Sequence, residues 1–407
     1  MDTQVLDSET RHPQAAESDG SSLEHAIRDR YAKGAQTLEP ELCCPTAEYD
    51  TQYLKMLPDE IIEKDYGCGD PSAHAREGDV VVDLGSGAGK VCYILAQKVG
   101  PTGRVIGLDF NDVMLSLARK YQDEMAEKIG HRNVAFRKAR IQDMALDLDR
   151  AAVWLADNPI KSVEQADKYR AYCDRLRQDE PLVADNSVDL IVSNCVLNLV
   201  RTDEKQQLFR EMHRVLRPGG RVVISDIVCD EDPPPEVVND PHLWSGCIAG
   251  AFREDRFLEM FEEAGFYGIE LLKRQDEPWQ TIDGIEFRSV TVRAYKGKEG
   301  PCLDRNQAVV YTGPWKQVRD DDGHVLYRGQ RMAVCEKTYR LMTDPNGPYA
   351  GQVKGIEPRQ AVPAEDAPVF NCAHAAIRSP RQTKGVDYQA TELTDGSACC
   401  DPESGCC

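Results

Sequence analysis

Short apolar runs alternate with segments of helical periodicity through the middle of the chain, from residue 78 to residue 296. The apolar runs predict strands at 79–84, 104–110, within 133–144, at 187–194, 221–228 and 266–273. Helices are predicted between them, after the glycine-rich turn at 85–89 and at 111–129, 203–216 and 253–264. Strands that alternate with helices at this interval are typical of a parallel sheet with helices on both faces. The pattern therefore predicts a doubly wound α/β sheet.

The regions outside this alternation predict the rest of the organisation. Residues 1–22 are polar and are expected to be disordered, and residues 23–77 are expected to form a helical N-terminal segment. A charged stretch at 145–184 interrupts the alternation and is predicted to be a helical insertion. Further along, β-rich runs predict a small mixed α+β domain over 297–354. The remainder, 355–407, is rich in proline and ends in paired cysteines, and it is expected to be a flexible tail.

The charge balance narrows the range of partners. The chain of 407 residues carries 69 acidic and 49 basic residues, a formal net charge of −20, which disfavours nucleic acid and anionic membranes as main partners. No run approaches the roughly 18 apolar residues of a membrane-spanning helix. The N-terminus, MDTQVLDSET, lacks the positive charge and apolar core of a signal peptide. We therefore expect a cytoplasmic protein, and a monomer, because the acidic chain shows no obvious association patch.

A glycine-rich turn follows the first predicted strand of the sheet. Asp83, Gly85, Gly87 and Gly89 form the pattern D-x-G-x-G-x-G between that strand and the next helix. Glycine allows the backbone to turn sharply and to approach a ligand closely. Asp109 ends the second strand, 20 residues after Gly89, where a carboxylate can accept both ribose hydroxyls of a nucleotide. These residues predict a nucleotide-type cofactor at the carboxyl edge of the sheet.

Three classes of cofactor loop can be compared with this turn. A P-loop is excluded because no GK[ST] follows the glycines. A dinucleotide loop is disfavoured because the spacing G-x-G-x-x-G is missing and because Asp83 would repel a pyrophosphate. The same carboxylate can hold the ammonium group of S-adenosylmethionine, and RVLRPGG before RVVISD is common in class I methyltransferases. The residues expected to contact S-adenosylmethionine are Asp83, Gly85, Ser86, Gly87, Gly89, Asp109, Phe110, Ile141, Gln142 and Asn194.

Fifteen cysteines are informative in a protein expected to occupy a reducing compartment. Cys68, Cys195 and Cys247 lie near the ends of predicted strands, where they can face the cofactor, and Cys43 and Cys44 can converge on the same crevice. Such a group of thiols suits a soft, thiophilic substrate. Inert buried thiols, redox-active thiols and a zinc site remain open, although the sequence around them lacks the CxxC or HxxxH pairs usual for zinc.

The motifs around these cysteines resemble those of one enzyme family. YGCGDP, DLGSGAGKVCYILAQKVG, GLDF, SNCVLNLV, RVLRPGG, SDIV and LWSGCIAGAF are together similar to the arsenite methyltransferases, over residues 24–350 and in the paired terminal cysteines. YGCG, SNCVxNL and LWxxC are specific to that family, whereas many methyltransferases share the glycine-rich turn. The resemblance implies a class I methyltransferase sheet with a smaller mixed α+β C-terminal domain. It also implies methyl transfer from S-adenosylmethionine to thiol-bound trivalent arsenic, for arsenic detoxification.

The resemblance further implies roles for individual cysteines. Cys68 and Cys195 match the thiols that hold trivalent arsenic, and Cys247 completes the set for inorganic arsenite, so these three are the expected catalytic residues. Cys43 or Cys44 matches an N-terminal cysteine that joins in binding or forms a disulfide with Cys68. The implied substrates are arsenite and methylarsenite, as thiol conjugates. The implied reductant is thioredoxin or glutathione.

Two features depart from the family pattern and leave other functions open. Gly246 and Phe252 stand where the family usually has an acid and a tyrosine, and the insertion at 145–184 is unusually long. The alternative is a methyltransferase of a small organic substrate such as a quinone or sterol. That chemistry needs a general base, for which His242 is the main candidate. A non-enzymatic metalloid sensor is a further alternative, which the intact glycine-rich turn disfavours.

Overall fold

The computed structural model describes residues 20–35, 49–64, 66–297, 300–372 and 376–385. Contacts between Cα atoms divide the chain into two units, residues 1–297 and residues 298–407. No helix among the described residues is long and apolar enough to cross a membrane.

The first unit is built on a nine-stranded sheet. Its strands are β1 (Val80–Leu84), β2 (Arg104–Asp109), β3 (Val134–Lys138), β4 (Val188–Asn194), β5 (Leu216–Cys229), β6 (Phe252–Arg253), β7 (Phe266–Arg274), β8 (Gln280–Ile282) and β9 (Ile285–Lys296). The main order is β3-β2-β1-β4-β5-β9-β7, with β6 beside β5 and β8 beside β9. Strands β1 to β5 pair in parallel, and β9 lies antiparallel between β5 and β7. The doubly wound sheet predicted from the sequence is confirmed, with β9 as an antiparallel addition.

Strands β5 and β9 differ from the sequence prediction. The run IEFRSVTVRAYK forms β9, but its charged residues obscure the apolar alternation, so the sequence does not predict it. Arg288 is nevertheless buried in this strand, where it donates to the carbonyl oxygen of Asp276 at 2.7 Å. Strand β5 begins at Leu216 and includes the predicted turn RPGG, where Gly219 has a φ of +80°. Its pairing with β4 shifts register at this irregularity.

α-Helices pack against two separate cores of this sheet. They are α1 (Gly20–Gly34), α2 (Thr51–Leu54), α3 (Asp59–Glu63), α4 (Lys90–Val99), α5 (Asp112–Lys120), α6 (Gln122–Ile129), α7 (Leu148–Asp157), α8 (Val163–Asp179), α9 (Lys205–Val215), α10 (Pro235–Val238), α11 (Pro241–Ser245) and α12 (Glu254–Glu263). In β1, Val81 packs in the core that contains Tyr93 of α4. The next residue, Val82, packs in the core that contains Phe209 of α9. Successive residues thus enter opposite cores, as expected for a sheet buried on both faces.

The charged stretch at 145–184 contains α7 and α8. These helices form a small core with Ala151 and Cys173, and Trp154 stacks on Tyr172 with ring centroids 5.2 Å apart. Their burial of aromatic surface explains how a stretch of such high charge remains helical.

The second unit contains two small antiparallel sheets. Its elements are β10 (Ala308–Tyr311), β11 (Gln317–Arg319), β12 (Val325–Tyr327), β13 (Arg331–Ala333), α13 (Glu336–Thr343), β14 (Val353–Ile356) and α14 (Pro380–Lys384). Strand β10 lies between β13 and β14 and is antiparallel to both. Strands β11 and β12 form a separate hairpin. The unit therefore has the mixed α+β composition that the sequence predicts.

Residues 355–372 and 376–385 take part in the second unit, although their composition suggests a flexible tail. Val369 forms a β-bridge within the unit, and the buried Arg378 donates to Asp304 at 2.6 Å. Backbone pairing and this ion pair hold the segment in place, so the predicted domain boundary falls inside the unit. Residues 386–407, with the paired terminal cysteines, lie outside the described residues.

Candidate active site

The glycine-rich turn leaves β1 and leads into α4. Gly85, Gly87 and Gly89 have φ values of +71°, +51° and +90°, a region of backbone conformation that favours glycine. A Cβ atom on Gly85 would lie 2.5 Å from Val196, whereas a Cβ on Gly87 would meet no atom within 4 Å. The backbone at Gly87 therefore borders open space, which leaves room for a ligand.

Two buried carboxylates flank this turn. Asp109, at the end of β2, accepts hydrogen bonds from the N–H groups of Gly87 at 2.9 Å and Asn111 at 2.8 Å. Burial raises the pKa of Asp109 above its usual value, although these hydrogen bonds oppose the shift. Asp83, in β1, accepts a hydrogen bond from the Cys92 thiol at 3.2 Å. The turn is thus closed by Asp109 and bordered by Asp83.

A cavity opens beside the turn at the carboxyl edge of the sheet. Nine of the ten residues expected to contact the cofactor line it, namely Asp83, Gly85, Ser86, Gly87, Asp109, Phe110, Ile141, Gln142 and Asn194. Gly89 does not line the cavity; it caps α4, and a Cβ there would lie 2.8 Å from Phe136. Gly89 thus serves the close packing of α4 against Phe136, and its contact with the cofactor stays a prediction.

The cavity offers polar and apolar surface to a ligand. The Ser86 hydroxyl is buried and has no hydrogen-bond partner among the described residues. An unpaired buried hydroxyl is unfavourable, so a polar ligand atom would stabilise it. Ile141 and Met114 contribute apolar walls, together with Tyr31 of α1 and Tyr66, which the sequence does not single out.

Cys68 and Cys195 meet at this cavity. They form a disulfide with a Cα–Cα distance of 5.9 Å, although 127 residues separate them along the chain. Cys195 follows β4 directly and lines the cavity. The family resemblance allowed a disulfide between Cys68 and Cys43 or Cys44, but the partner of Cys68 is Cys195. Cys43 and Cys44 themselves lie outside the described residues.

Asn194, the last residue of β4, holds the loop that carries Cys68. Its side-chain oxygen accepts hydrogen bonds from the N–H groups of Cys68 at 2.8 Å and Gly69 at 3.1 Å. Its side-chain nitrogen donates to the Gly69 carbonyl and to the Tyr49 hydroxyl, both at 2.8 Å. Both polar atoms of the Asn194 side chain therefore have hydrogen-bond partners within the protein. Although Asn194 lines the cavity, it therefore acts chiefly to position Cys68.

Cys247 approaches the disulfide from the segment after α11. Its thiol donates to the carbonyl oxygen of Cys195 at 3.1 Å, and the Tyr31 hydroxyl lies 3.9 Å from its sulfur. Asn198 donates to the Cys247 carbonyl at 3.1 Å, which fixes the backbone at this point. All three cysteines belong to one buried apolar cluster, which also contains Phe287. The structure thus brings together the three described cysteines that the sequence selects.

The backbone at two of these cysteines is strained. Cys195 has a φ of +56° and Cys247 a φ of +63°, and only five non-glycine residues among those described have positive φ. This conformation costs on the order of 1–2 kcal/mol for an ordinary residue. Strain of this kind persists where the surrounding structure imposes it, often at functional sites. Its presence at both cysteines marks them as positioned groups.

A buried acid and a buried base anchor the segments that carry these cysteines. Asp226 in β5 accepts a hydrogen bond from the N–H of Leu197 at 2.8 Å, and burial raises the pKa of Asp226 to about 6. Burial also lowers the pKa of the Lys205 ammonium to about 8, and this group donates to the Gly250 carbonyl. The sequence does not identify either role. Its one signal is the SD pair of ISDIV, which many methyltransferases share.

Two other side chains near the site can be set apart from its chemistry: Cys229 as an arsenic ligand and His242 as a general base. Cys229 belongs to the same apolar cluster, but burial raises its pKa to about 12, and it donates to the Phe252 carbonyl at 3.4 Å. It therefore stays a neutral thiol. His242, the base required by the organic-substrate alternative, is exposed and does not line the cavity.

The fold and the cavity together define a class of protein. A doubly wound sheet with a glycine-rich turn after β1 and an acid at the end of β2 is the architecture of class I S-adenosylmethionine-dependent methyltransferases. The family model described as a methyltransferase domain matches residues 75–178 and 172–265. A domain of unknown function, DUF8838, matches residues 298–388.

Individual proteins narrow this class to a family. The chain is 30% identical over 342 residues to the arsenite methyltransferase of Aquipseudomonas alcaligenes, with 79% of this chain and 88% of that protein covered. It is 26% identical over 347 residues to the arsenite methyltransferase of Mus musculus, with 81% and 82% covered. A crystal structure of an arsenic(III) S-adenosylmethionine methyltransferase from Chlamydomonas reinhardtii is similar, with a TM-score of 0.52, 26% identity, and 81% of this chain and 98% of that chain covered. The chain belongs to the arsenite methyltransferase family, as the sequence motifs predict.

Proposed function

We propose that this chain transfers methyl groups from S-adenosylmethionine to thiol-bound trivalent arsenic, with arsenite and methylarsenite as substrates, and so detoxifies arsenic. One observation carries the proposal. Cys68, Cys195 and Cys247 come from distant parts of the chain and meet in one buried cluster at the edge of the cofactor cavity. Thiolates are the ligands that soft ions such as trivalent arsenic prefer. The names of the relatives support the same substrate.

The cavity residues fit S-adenosylmethionine. The open backbone at Gly87 admits a ligand close to the turn, Asp83 suits its ammonium group, and Asp109 suits its ribose hydroxyls. The unpaired hydroxyl of Ser86 offers a further polar contact, and Ile141 offers apolar surface for adenine. When bound, the cofactor supplies an electrophilic methyl group.

Substrate binding requires reduction of the Cys68–Cys195 disulfide. Two electrons and two protons convert it into two thiols, and we assign their supply to thioredoxin or glutathione. These thiols and Cys247 then replace the three hydroxyl groups of arsenous acid, which leave as water with the thiol protons. In a thiol conjugate, they replace the conjugated thiols instead. The product of this exchange is arsenic held by three sulfurs, with a lone pair.

The lone pair on arsenic is the nucleophile. It carries no proton, so the site needs no general base, and no histidine is found among the described residues that line the cavity. The apolar cluster around the cysteines excludes water, which favours a step in which positive charge passes from the donor sulfur to arsenic and is spread over both atoms in the transition state. The fixed positions of Cys195 and Cys247 hold the arsenic in place, and such positioning lowers the barrier.

Methylation raises the oxidation state of arsenic by two, so two electrons must return to it. The sulfurs of Cys68 and Cys195 supply them by leaving arsenic as a disulfide. Arsenic is again trivalent: it keeps the sulfur of Cys247, carries the new methyl group, and binds one hydroxide, or one thiol that gives up its proton, at its third position. The proximity of Cys68 and Cys195 supports this pairing. The reductant then restores both thiols for the next cycle.

The variant Cys195→Ser tests the proposal. It should lower arsenite methylation at least ~100-fold, while S-adenosylmethionine binding changes less than about twofold. Mass spectrometry of arsenic species measures the first quantity, and calorimetry measures the second. Cys173→Ser is the matched control, because Cys173 is buried in the core of the α7–α8 insertion and should be dispensable. Turnover retained by Cys195→Ser would overturn the thiol site and leave the methyltransferase class intact.

We also expect the enzyme to be monomeric and cytoplasmic, in keeping with its net charge of −20. Light scattering after size-exclusion chromatography tests the first expectation. A mass twice that of the chain would contradict it.

A further inference from the structure

A second group of three cysteines lies in the unit of residues 298–407. The sulfurs of Cys302, Cys335 and Cys372 all lie within 4.8 Å of one another. All three are free thiols; Cys335 is buried, and the other two are partly exposed. The methyl-transfer chemistry proposed above uses none of them. Their proximity therefore calls for a separate explanation.

Backbone hydrogen bonds bring the three segments together independently of the sulfurs. The N–H of Phe370 donates to the Cys302 carbonyl at 2.8 Å, and the N–H of Glu336 donates to the Leu303 carbonyl at 2.9 Å. Phe370 lies two residues before Cys372, and Glu336 directly follows Cys335. The fold itself thus gathers the cysteines, and a ligand would not have to assemble them.

The cluster is prepared to form a thiolate. Burial raises the pKa of Cys335, but hydrogen bonds with Thr338, Cys372 and Cys302 outweigh it and lower the pKa below its usual value. The Thr338 N–H lies 3.5 Å from the Cys335 sulfur and its hydroxyl 3.2 Å. The pKa of Cys372 is instead raised to about 12, by burial and by its thiol neighbours. Of these two thiols, Cys335 therefore gives up its proton more readily than Cys372.

We propose that Cys302, Cys335 and Cys372 bind one trivalent arsenic atom as a three-thiolate site, separate from the site of methyl transfer. Structural zinc sites almost always have four protein ligands, whereas this cluster offers three among the described residues. Trivalent arsenic needs three sulfurs, because its lone pair occupies the remaining position. The choice of arsenic over another soft ion rests on the proposed function, but the convergence of the thiols does not.

Binding at this site involves no change of oxidation state. Each of the three hydroxyl groups of arsenous acid takes up one thiol proton and leaves as water, while one arsenic–sulfur bond forms in its place. The partial exposure of Cys302 and Cys372 gives the incoming arsenic a route to the buried sulfur. The site retains arsenite without methylating it.

The number of arsenic atoms bound per chain tests the site. The background is the reduced full-length protein with the tail thiols removed by C399S, C400S, C406S and C407S, and the probe is sodium arsenite. Native mass spectrometry should show one arsenic fewer per chain for Cys335→Ser and for Cys372→Ser. Cys173→Ser, the buried control, should show no change. Cys372 is partly exposed, so its variant keeps the test valid if Cys335→Ser does not fold.

The result can be separated from the fate of the methyl-transfer site. Cys195→Ser should abolish methylation and yet keep the arsenic that depends on Cys335. Unchanged stoichiometry in both Cys335→Ser and Cys372→Ser would overturn the second site, whatever becomes of the first. A zinc ion that is retained through Cys335 and that arsenite does not displace would also overturn it. His374 lies two residues beyond Cys372, outside the described residues; loss of arsenic binding in His374→Ala would contradict a three-thiolate site.

Discussion

The two units each gather three cysteines, but they hold them differently. In the first unit, Cys195 and Cys247 have left-handed backbone conformations and lie in an apolar cluster beside a cavity. In the second unit, Cys335 has an extended backbone with a φ of −71° and caps α13. No cysteine of that second set has a positive φ among the described residues. The difference teaches that close thiols can suffice to bind arsenic, whereas the site proposed for methyl transfer also has backbone strain and a neighbouring cavity.

The same comparison bears on the organic-substrate alternative. A quinone or sterol methyltransferase has no use for a strained thiol pair, and it requires a base at its cavity. The described lining contains Cys195 and lacks His242. The arrangement therefore favours arsenic over a carbon or oxygen centre.

The largest effect is expected for Asn194→Ala, which removes the hydrogen bonds that hold the loop of Cys68 in place. Their loss frees the loop at Cys68, and arsenite methylation should fall about 100-fold, since small misplacements at a reacting centre are this costly. Initial rates of methylarsenic formation measure the effect.

Asn133→Ala is the matched control for that variant. Asn133 is also buried, and it donates to the carbonyl oxygens of Ala96 at 3.1 Å and Gly100 at 2.9 Å, outside the cavity. Its removal should cost about 1–3 kcal/mol of stability and leave the thiols in place. Equal loss of activity in the two variants would show that Asn194 acts through stability alone.

A smaller effect is expected for Cys247→Ser, which removes one member of the set and leaves the pair. Inorganic arsenite needs three sulfurs and methylarsenite needs two. The variant should therefore lower kcat/KM for arsenite at least ~10-fold more than for methylarsenite. Parallel assays with the two substrates give the ratio. Cys229→Ser, in the same cluster, should leave it unchanged, and an equal loss on both substrates for Cys247→Ser would contradict the third-ligand role.

The free energy of unfolding should depend on pH through Asp226, the buried acid next to the first cysteine set. Burial raises the folded pKa of Asp226 from 3.8 to about 6, so the folded state binds this proton more tightly than the unfolded chain does. The associated stability is complete below pH 3.8 and is lost as the pH rises through about 6. The loss is on the order of 3 kcal/mol. The variant Asp226→Asn has no ionisable group at this position and should not show this loss of stability.

Urea unfolding of the wild type and Asp226→Asn at a series of pH values measures this difference. The wild-type free energy of unfolding should fall relative to that of the variant across the stated range. Two parallel curves would mean that the pKa of Asp226 is the same in the folded and the unfolded protein, and so that burial does not raise it.

The smallest expected effect is a difference in alkylation between the cysteines of the two units. Without reductant, iodoacetamide should modify the partly exposed Cys302 and leave the disulfide-bonded Cys68 and Cys195 unmodified. After reduction, the latter two should also become modified. Peptide mass spectrometry gives the extent at each position. Modification of Cys195 before reduction would contradict the disulfide.

Much of the first site could be predicted from the sequence because its residues stand in short motifs at strand ends. The glycine-rich turn, Asp109 and Cys195 are each fixed by local periodicity, and parallel strands bring such ends to one edge. Cys68 and Cys247 lie in loops next to predicted strand ends, which makes them candidates, and the family motifs give them their roles as arsenic ligands. The partner of Cys68 could not be predicted, because loop geometry decides which thiol it meets.

The remaining features depend on contacts that have no local pattern. Asp226 and Lys205 acquire their roles from burial, which a single SD pair does not reveal. The second cysteine set joins residues 302, 335 and 372, which lie in loops and at a helix end of a unit with short strands. The sequence does not predict strand β9, because the buried Arg288 and the partly exposed Arg293 stand where apolar residues are expected.

Because Cys68 and Cys195 are joined by a disulfide, the proposed activity depends on the supply of a reductant. In the mechanism we propose, neither sulfur can accept arsenic while the two are joined, so each round of methylation would require two electrons from outside the chain. Arsenite also binds free thiols. The proposal therefore implies that a high dose of arsenite would slow its own removal, with the supply of reductant as the limit.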